Sequence, residues 1–248
     1  MNKIVIYTAI FGDSETLFPQ PTLTGVDFIC FSDRPHATKG WQVRVVHPPF
    51  GDDHVRNNRY YKILPHLSLK EYDYSIYIDG NFMILRSPLK LLNTQMQDCH
   101  MLLFDHQQTK TDPRNCIYKE EEAIIALYRS KGVLKDDLET IRSQIDFYRS
   151  KGYPENNGLI KGGILIRKHM EPDVIQVMER WWYFIENYSK RDQLSFNYVA
   201  WENNFSFKYL PGDIRRGNPW FYMASKKDNS LFFSMLKYHW RKFLARFQ

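Results

Sequence analysis

The sequence predicts an α/β domain, on three observations. Short β-branched and aromatic runs at Lys3–Ile10, Asp27–Ser32, Tyr74–Ile78 and Leu159–Arg167 have the composition of buried strands. Between them lie segments whose apolar residues recur at three- and four-residue steps, the period of helices packed on a sheet. The length, 248 residues, suits one sizeable domain, or one domain with an appendage, that can bury a full core.

The stretch that organises the rest is Tyr72–Leu85. Tyr74, Ile76 and Ile78 alternate with Ser75 and Tyr77, so a strand with at least one buried face is expected to end at Asp79-Gly80-Asn81. In an open α/β sheet ligands bind beyond the carboxyl ends of strands, which turns Asp79 and Asn81 toward a cleft. Two oxygen-bearing side chains two residues apart suit a hard divalent cation or sugar hydroxyls. A capped turn is the structural alternative, because Asp, Gly and Asn dominate turns for local reasons.

The first strand, Lys3–Ile10, ends in the small residues Thr8 and Ala9 with Phe11 just beyond, which leaves space for a flat base or ribose. Asp27–Ser32 is the second strand, and Asp33 past its end lies beside the same expected cleft. Gln42–Val46 is the third. Asp53 caps a helix running through Val55–Leu64 that Pro65 stops. Arg56, Arg59 and Lys62 share one face of it at three-residue steps. That basic face suits a diphosphate, or is an ordinary solvated surface.

Pro88–Leu92 starts a short helix, and Met101–Phe104 is a strand leading to Asp105-His106. His106 is a candidate metal ligand, proton carrier or capped surface residue. Glu120–Arg129 reads as helix, and Leu134, Leu138, Ile141, Ile145 and Tyr148 mark an amphipathic helix with acids in its first turn. Gly162-Gly163 interrupts the Leu159–Arg167 strand, so a sugar, a phosphate or a neighbouring helix must approach the backbone closely there. Pro172 opens a helix to about Tyr188. Asp192 and Gln193 stand at the amino terminus of a further helix, Leu194–Trp201, where backbone donors are free. Phe205–Leu210 is the last strand, before the basic loop Pro211–Trp220.

From Leu231 an amphipathic tail carries Phe232, Leu236, Trp240, Phe243 and Phe247 on one side, with Lys237, Arg241, Lys242 and Arg246 interspersed. Such a helix suits an anionic membrane surface, and equally docking on the domain's own core.

The net charge of +6 and a pI of about 9.0 favour a negatively charged partner: a nucleoside diphosphate, an anionic lipid surface or nucleic acid. Zinc-knuckle spacing, an RNA-binding aromatic signature and a helix-turn-helix pattern are all missing, so nucleic acid is not expected. Three cysteines, an odd number with no CxxC, point to reduced thiols in a cytosol-like compartment and not to a cysteine metal site. The chain opens on a strand rather than a basic region followed by an apolar leader, and no apolar run is long enough to span a bilayer. The expectation is a cytoplasmic protein, peripheral on the inner face of the membrane if the tail engages it.

Taken together, these residues resemble nucleotide-sugar glycosyltransferases of the GT-A type, most closely a glycosyltransferase-like family long catalogued as a domain of unknown function. The marks are Lys3–Gly12, Asp27–Asp33, Arg56-Asn57-Asn58-Arg59-Tyr60-Tyr61-Lys62, Tyr77–Asn81 and Lys190-Arg191-Asp192-Gln193-Leu194-Ser195. Each is short, but their order and spacing are specific, and they span residues 3–201. The resemblance implies a single GT-A-like (Rossmann-like) domain over 1–222, with a mixed, mostly parallel central sheet flanked by helices, and a basic helical tail over 223–248. It implies transfer of a sugar from a nucleoside diphosphate sugar to a hydroxyl on a glycan or glycolipid acceptor, in surface polysaccharide or glycan synthesis.

Residue by residue, Asp79 and Asn81 resemble the positions that hold a divalent metal, manganese or magnesium, on the donor diphosphate. The histidine that relatives place before a Gly-x-x-Lys-Pro-Trp run has no counterpart beside Gly217-Asn218-Pro219-Trp220, so that ligand is either lost or supplied from elsewhere, with His106 the candidate. Gly162-Gly163 is similar to the acceptor-facing strand and Asp192-Gln193 to the catalytic pair beside the reacting sugar. Thr8, Ala9, Phe11, Asp33, Arg56, Arg59 and Lys62 complete the expected substrate site. A catalytically inactive glycan- or nucleotide-binding module and a nucleotidyltransferase are the rival readings.

Overall fold

The computed structural model describes residues 2–12, 16–134, 136–224 and 231–245. The strands are β1 (Ile4–Ile10), β2 (Val26–Ser32), β3 (Gln42–Val45), β4 (Tyr74–Ile78), β5 (Phe82–Ile84), β6 (Met101–Asp105), β7 (Ile160–Arg167), β8 (Lys208–Leu210) and β9 (Phe221–Met223). Among the described residues seven of them form one sheet in the order β3-β2-β1-β4-β7-β6-β8. The pairs β1–β2, β1–β4, β2–β3 and β6–β8 are parallel, and only β7 runs against its neighbours. The sheet is therefore mixed and mostly parallel, as the resemblance implies. β5 and β9 pair antiparallel as a separate ribbon.

The strand at the middle of the chain's logic, β1, is buried along its whole length. Its period of two divides the core: Val5, Tyr7 and Ala9 point to one face, Ile4 and Ile6 to the other. On the first face pack α1 (His54–Ile63), α4 (Ile117–Lys131), α5 (Leu138–Ser150), α6 (Pro172–Asn187) and α7 (Phe196–Glu202), through Tyr61, Ile124, Ile145, Trp181 and Val199 among others, while the second face is covered by Leu91 and Leu92 of the short helix α3 (Leu89–Gln95) and by the β5–β9 ribbon. The last helix, Leu231–Leu244, seats on that ribbon: its Tyr238 is buried with Met83, Leu85 and Ala224 and donates its hydroxyl to the Ile84 carbonyl at 2.9 Å.

Caps fix several boundaries. Asp53 accepts from the Arg56 N–H at 3.0 Å and starts α1, and the chain turns at Leu64 into a single turn, α2 (Pro65–Ser68), as the proline requires. Asp137 accepts from the Thr140 N–H at 2.7 Å, so α5 begins there and Leu134 lies outside it, half exposed. The periodic stripe alone predicts a helix one turn longer; the cap, not the stripe, sets the start. Leu194–Trp201 is likewise divided into a 3-10 turn, Asp192–Leu194, followed by α7. The three-residue strands of the ribbon were not foreseen, being too short to display alternation. The cysteines Cys30, Cys99 and Cys116 are unpaired and buried. Among the described residues no helix is long and apolar enough to cross a membrane.

Candidate active site

The carboxyl end of β4 opens on a cleft of about 240 Å³ whose walls include Arg59, Lys62, Asp79, Lys161, Gly162, Gly163, Arg191, Asp192, Gln193 and Arg215. Asp79 is held at its base. Its backbone N–H donates to the Gly163 carbonyl at 2.9 Å, its carbonyl accepts from Phe82 N–H at 2.9 Å, and its Oδ1 accepts from the Tyr77 hydroxyl at 3.0 Å. The turn favours glycine at position 80, because a Cβ there would stand 2.8 Å from Ile10 Cδ1 and 3.3 Å from the Thr16 carbonyl oxygen, and one of them would have to give way.

α1 delivers two cations to the same cleft. Its end is anchored by buried Arg167, which donates to the Lys62 carbonyl at 2.9 Å, while the Tyr7 hydroxyl donates to that carbonyl at 2.8 Å; carbonyls that the last helical turn leaves unpaired are thereby satisfied. Lys62, 1% exposed, directs its ammonium into the Asp192 carboxylate and over the Tyr77 ring at 4.9 Å, and Arg59 Nε lies 3.4 Å from the same carboxylate oxygen. Burial alone would raise the Asp192 carboxyl, but the charges of Arg59 and Lys62 outweigh it and hold the group well below the usual carboxylate range. Burial lowers the Lys62 ammonium from its ordinary value, and Asp192 opposes that shift, so the two groups stand as an ion pair.

The glycine pair on β7 is explained by these neighbours. A Cβ at Gly162 would lie 2.9 Å from Asp192 Oδ2 and 3.3 Å from Lys62 Nζ; one at Gly163 would lie 3.1 Å from Asp79 Oδ2. Here too the pairing of β6 with β7 shifts register, between Leu103 and Phe104, so the strand leaves its partner where the carboxylates approach.

The second wall is a charged network. Glu120 accepts from Arg114 Nε at 2.8 Å and from Arg191 at 2.9 Å, and Gln193 accepts from Arg191 at 3.2 Å while donating to the Ile160 carbonyl at 2.9 Å. Lys161 donates to His106 Nε2 at 2.9 Å and Arg114 does so at 3.1 Å. Burial, with Arg215 nearby, pulls the Lys161 ammonium down to about 8. Burial and the two cations push His106 down to about 4, so it is a neutral acceptor at neutral pH. Lys161, Arg191, Gln193 and Arg215 also line a cavity of about 740 Å³ that runs on over α4.

A family model described as TOD1/MUCI70, glycosyltransferase-like domain, matches residues 30–210. The chain belongs to this family. A probable hexosyltransferase, MUCI70 of Arabidopsis thaliana, is 26% identical over 167 residues, which is 64% of this chain and 27% of that protein. The chain thus spans about a quarter of the length of that relative. Among solved structures, the apo form of the bifunctional glycosyltransferase WbbM overlaps 99% of this chain and 44% of its own, at 11% identity and a TM-score of 0.44, too loose to carry an assignment.

In this TOD1/MUCI70 domain the cleft unites Asp79, Arg59, Lys62, Gly162, Gly163, Asp192 and Gln193 of the expected site. Other residues of the expected site lie outside this cleft. Thr8, Ala9 and Phe11 are core residues: both faces of β1 are covered, and the Phe11 ring stacks on Tyr61 at 5.6 Å. Asp33 accepts from the Gly12 N–H at 3.0 Å, which ties the ends of β1 and β2 together, and is not among the cleft residues. Arg56 ties α1 to the end of α6, pairing with Asp53 at 2.8 Å and donating to the Ile185 and Tyr188 carbonyls, and is absent from the cleft lining. Asn81 donates its amide to the Ala224 carbonyl at 3.3 Å and is not among the cleft residues. His106 takes hydrogen bonds from Lys161 and Arg114 at Nε2 and is not among the cleft residues.

Sequence reasoning missed Lys161, Arg191 and Arg215. Each adjoined a residue or loop already singled out: Gly162, Asp192 and the basic loop after Leu210.

Among the described residues no three His, Cys, Asp or Glu side chains are grouped to hold a metal. Of the two carboxylates in the cleft wall, Asp192 pairs with Arg59 and Lys62 and Asp79 stands at the end of β4, and a magnesium-type cation asks the protein for only one or two carboxylates when phosphates supply the rest. The donor set therefore fits a cation brought in on a diphosphate and not a preformed protein cage.

Proposed function

We propose that this TOD1/MUCI70 domain transfers a sugar from a nucleoside diphosphate sugar to a hydroxyl of a glycan or glycolipid acceptor, in the assembly of a surface polysaccharide or glycan. The observation that carries the reading is the juxtaposition of Asp79 with Arg59, Lys62, Lys161, Arg191 and Arg215 around one cleft at the carboxyl end of the sheet. Departure of a diphosphate builds negative charge in the transition state, and fixed cations in a partly desolvated site are the means by which a protein stabilises it. The planar guanidinium groups of Arg59, Arg191 and Arg215 can each donate to two phosphate oxygens, whereas Lys161 acts as a single charge that titrates.

Asp192 is a positioning residue in this account. A carboxylate held so far below its ordinary range by two cations is a poor proton acceptor near neutrality. It sets Lys62 and Arg59 in place and leaves Gly162 uncovered for the sugar. Gln193 does the same for Arg191 by accepting from it. A divalent cation such as manganese or magnesium, entering on the donor, would be held by Asp79 and would add Lewis-acid stabilisation of the leaving group. The neighbouring cavity of about 740 Å³ is within the usual size range of small-molecule sites and shares a wall with the cleft, which suits it to the acceptor.

The test is to incubate the protein with a panel of nucleotide sugars, with and without manganese, and to identify the released nucleotide. Release of nucleoside diphosphate that Asp79→Ala abolishes supports the proposal. Release of pyrophosphate from a nucleoside triphosphate and a sugar 1-phosphate, with the nucleotide sugars left intact, would instead mark a nucleotidyltransferase, and donor binding without release a binding module.

A further inference from the structure

The last helix, Leu231–Leu244 (α8), is amphipathic in an inverted sense. Ser234, Tyr238 and Ala245 face the domain and are buried, with Arg241 reaching the Asn218 carbonyl at 3.2 Å. On the opposite side the helix presents Phe232 (66% exposed), Leu236 (51%), Trp240 (63%) and Phe243 (55%), joined by Phe233. At 100° per residue these positions fall on one arc, diametrically across from the buried one. A contiguous apolar patch of this kind on a charged protein marks an interaction surface.

The charge pattern selects the occupant. Lys237 and Lys242 lie on either side of the apolar arc, with Arg241 beyond Lys237 toward the domain, and no Asp or Glu lies between Leu231 and Leu244. Two copies of the helix laid face to face would bring cations against cations with no acid to pair them. A bilayer bearing anionic headgroups offers an apolar layer for the aromatic arc and negative charge at the level of its flanks, where tryptophan is also favoured.

We infer that α8 is a docking element that seats this domain on an anionic lipid bilayer, lying in the interface and not crossing it. α8 packs on the β5–β9 ribbon, where the Tyr222 and Tyr238 rings meet at 6.1 Å, and Met223 of that ribbon lines the cleft. Docking would therefore hold the cleft one ribbon away from acceptors carried on lipid. The inference stands whatever the donor is.

The experiment is sedimentation of the full chain with vesicles of phosphatidylcholine alone and of phosphatidylcholine mixed with phosphatidylglycerol. Binding to the mixed vesicles that weakens with added salt is expected. Lys237→Gln/Lys242→Gln should weaken it by at least ~tenfold, at roughly fivefold per cation, and Phe232→Ser/Trp240→Ser should abolish it. These side chains are exposed or at the rim of the helix, so melting curves check that the variants fold. A readout that needs intact protein is quenching of Trp240 fluorescence by brominated lipid, lost in Trp240→Phe while sedimentation persists. Absence of binding to the mixed vesicles, binding indifferent to these substitutions, or a concentration-dependent dimer dissolved by Phe232→Ser/Trp240→Ser would overturn the inference.

Discussion

Lys62 and Asp192 form a buried ion pair across the point at which β7 carries Gly162, so one contact couples α1, β7 and the turn before α7 at the cleft. Taking both charges out of water is costly, and removing one partner leaves the other uncompensated. Asp192→Ala is expected to lower stability by about 3–5 kcal/mol in denaturant unfolding. The double variant Lys62→Met/Asp192→Leu should recover most of that loss and remain inactive. Equal instability of the single and double variants would show that the pair does not act as a unit.

Gly162→Ala probes the same point sterically. The added Cβ would stand 2.9 Å from the Asp192 carboxylate and 3.3 Å from the Lys62 ammonium, both buried and held in their ion pair, so the pair must shift to admit it. A loss of about 1–3 kcal/mol in stability should accompany a larger loss of turnover, because the pair and the cleft floor shift together. Retention of full turnover would separate the glycine from the site.

Lys161 gives the site a pH dependence of defined sign. Burial lowers its ammonium to about 8, so it is charged and attracts phosphate below that pH, and loses the proton as pH rises through it. The kcat/KM for a donor, which reports the free enzyme, should therefore fall above pH 8. Lys161→Arg, which keeps its proton, should remove the fall. A profile unchanged by that substitution would assign the titration to another group.

Much of this was legible from residue order alone. Asp79, Arg59, Lys62, Gly162, Gly163, Asp192 and Gln193 announced themselves through strand ends, helix spacing and turn chemistry, and the cleft gathers all of them. The failures share a cause. Thr8, Ala9 and Phe11 lie at a strand's carboxyl end, but sequence does not say that this strand is central and covered on both faces. Arg56 and Lys62 share a helix face by spacing, yet Arg56 meets the end of α6, a contact 129 residues away in the chain. His106 could be read as a ligand because its two cationic neighbours come from other segments, Lys161 on β7 and Arg114 before α4. Local pattern supplied the candidates, and long-range packing decided their partners.

The central claim is that Arg59 and its neighbouring cations form a diphosphate site, and calorimetric titration of uridine, guanosine, cytidine and adenosine diphosphates tests it most directly. At least one is predicted to bind the wild-type chain. Arg59→Ala, in which Lys62 still pairs Asp192, should weaken that binding by about 10- to 100-fold, the equivalent of ~1.5–3 kcal/mol for a charged hydrogen bond. Failure of all four to bind at millimolar concentration, or equal affinity in wild type and Arg59→Ala, would contradict the account.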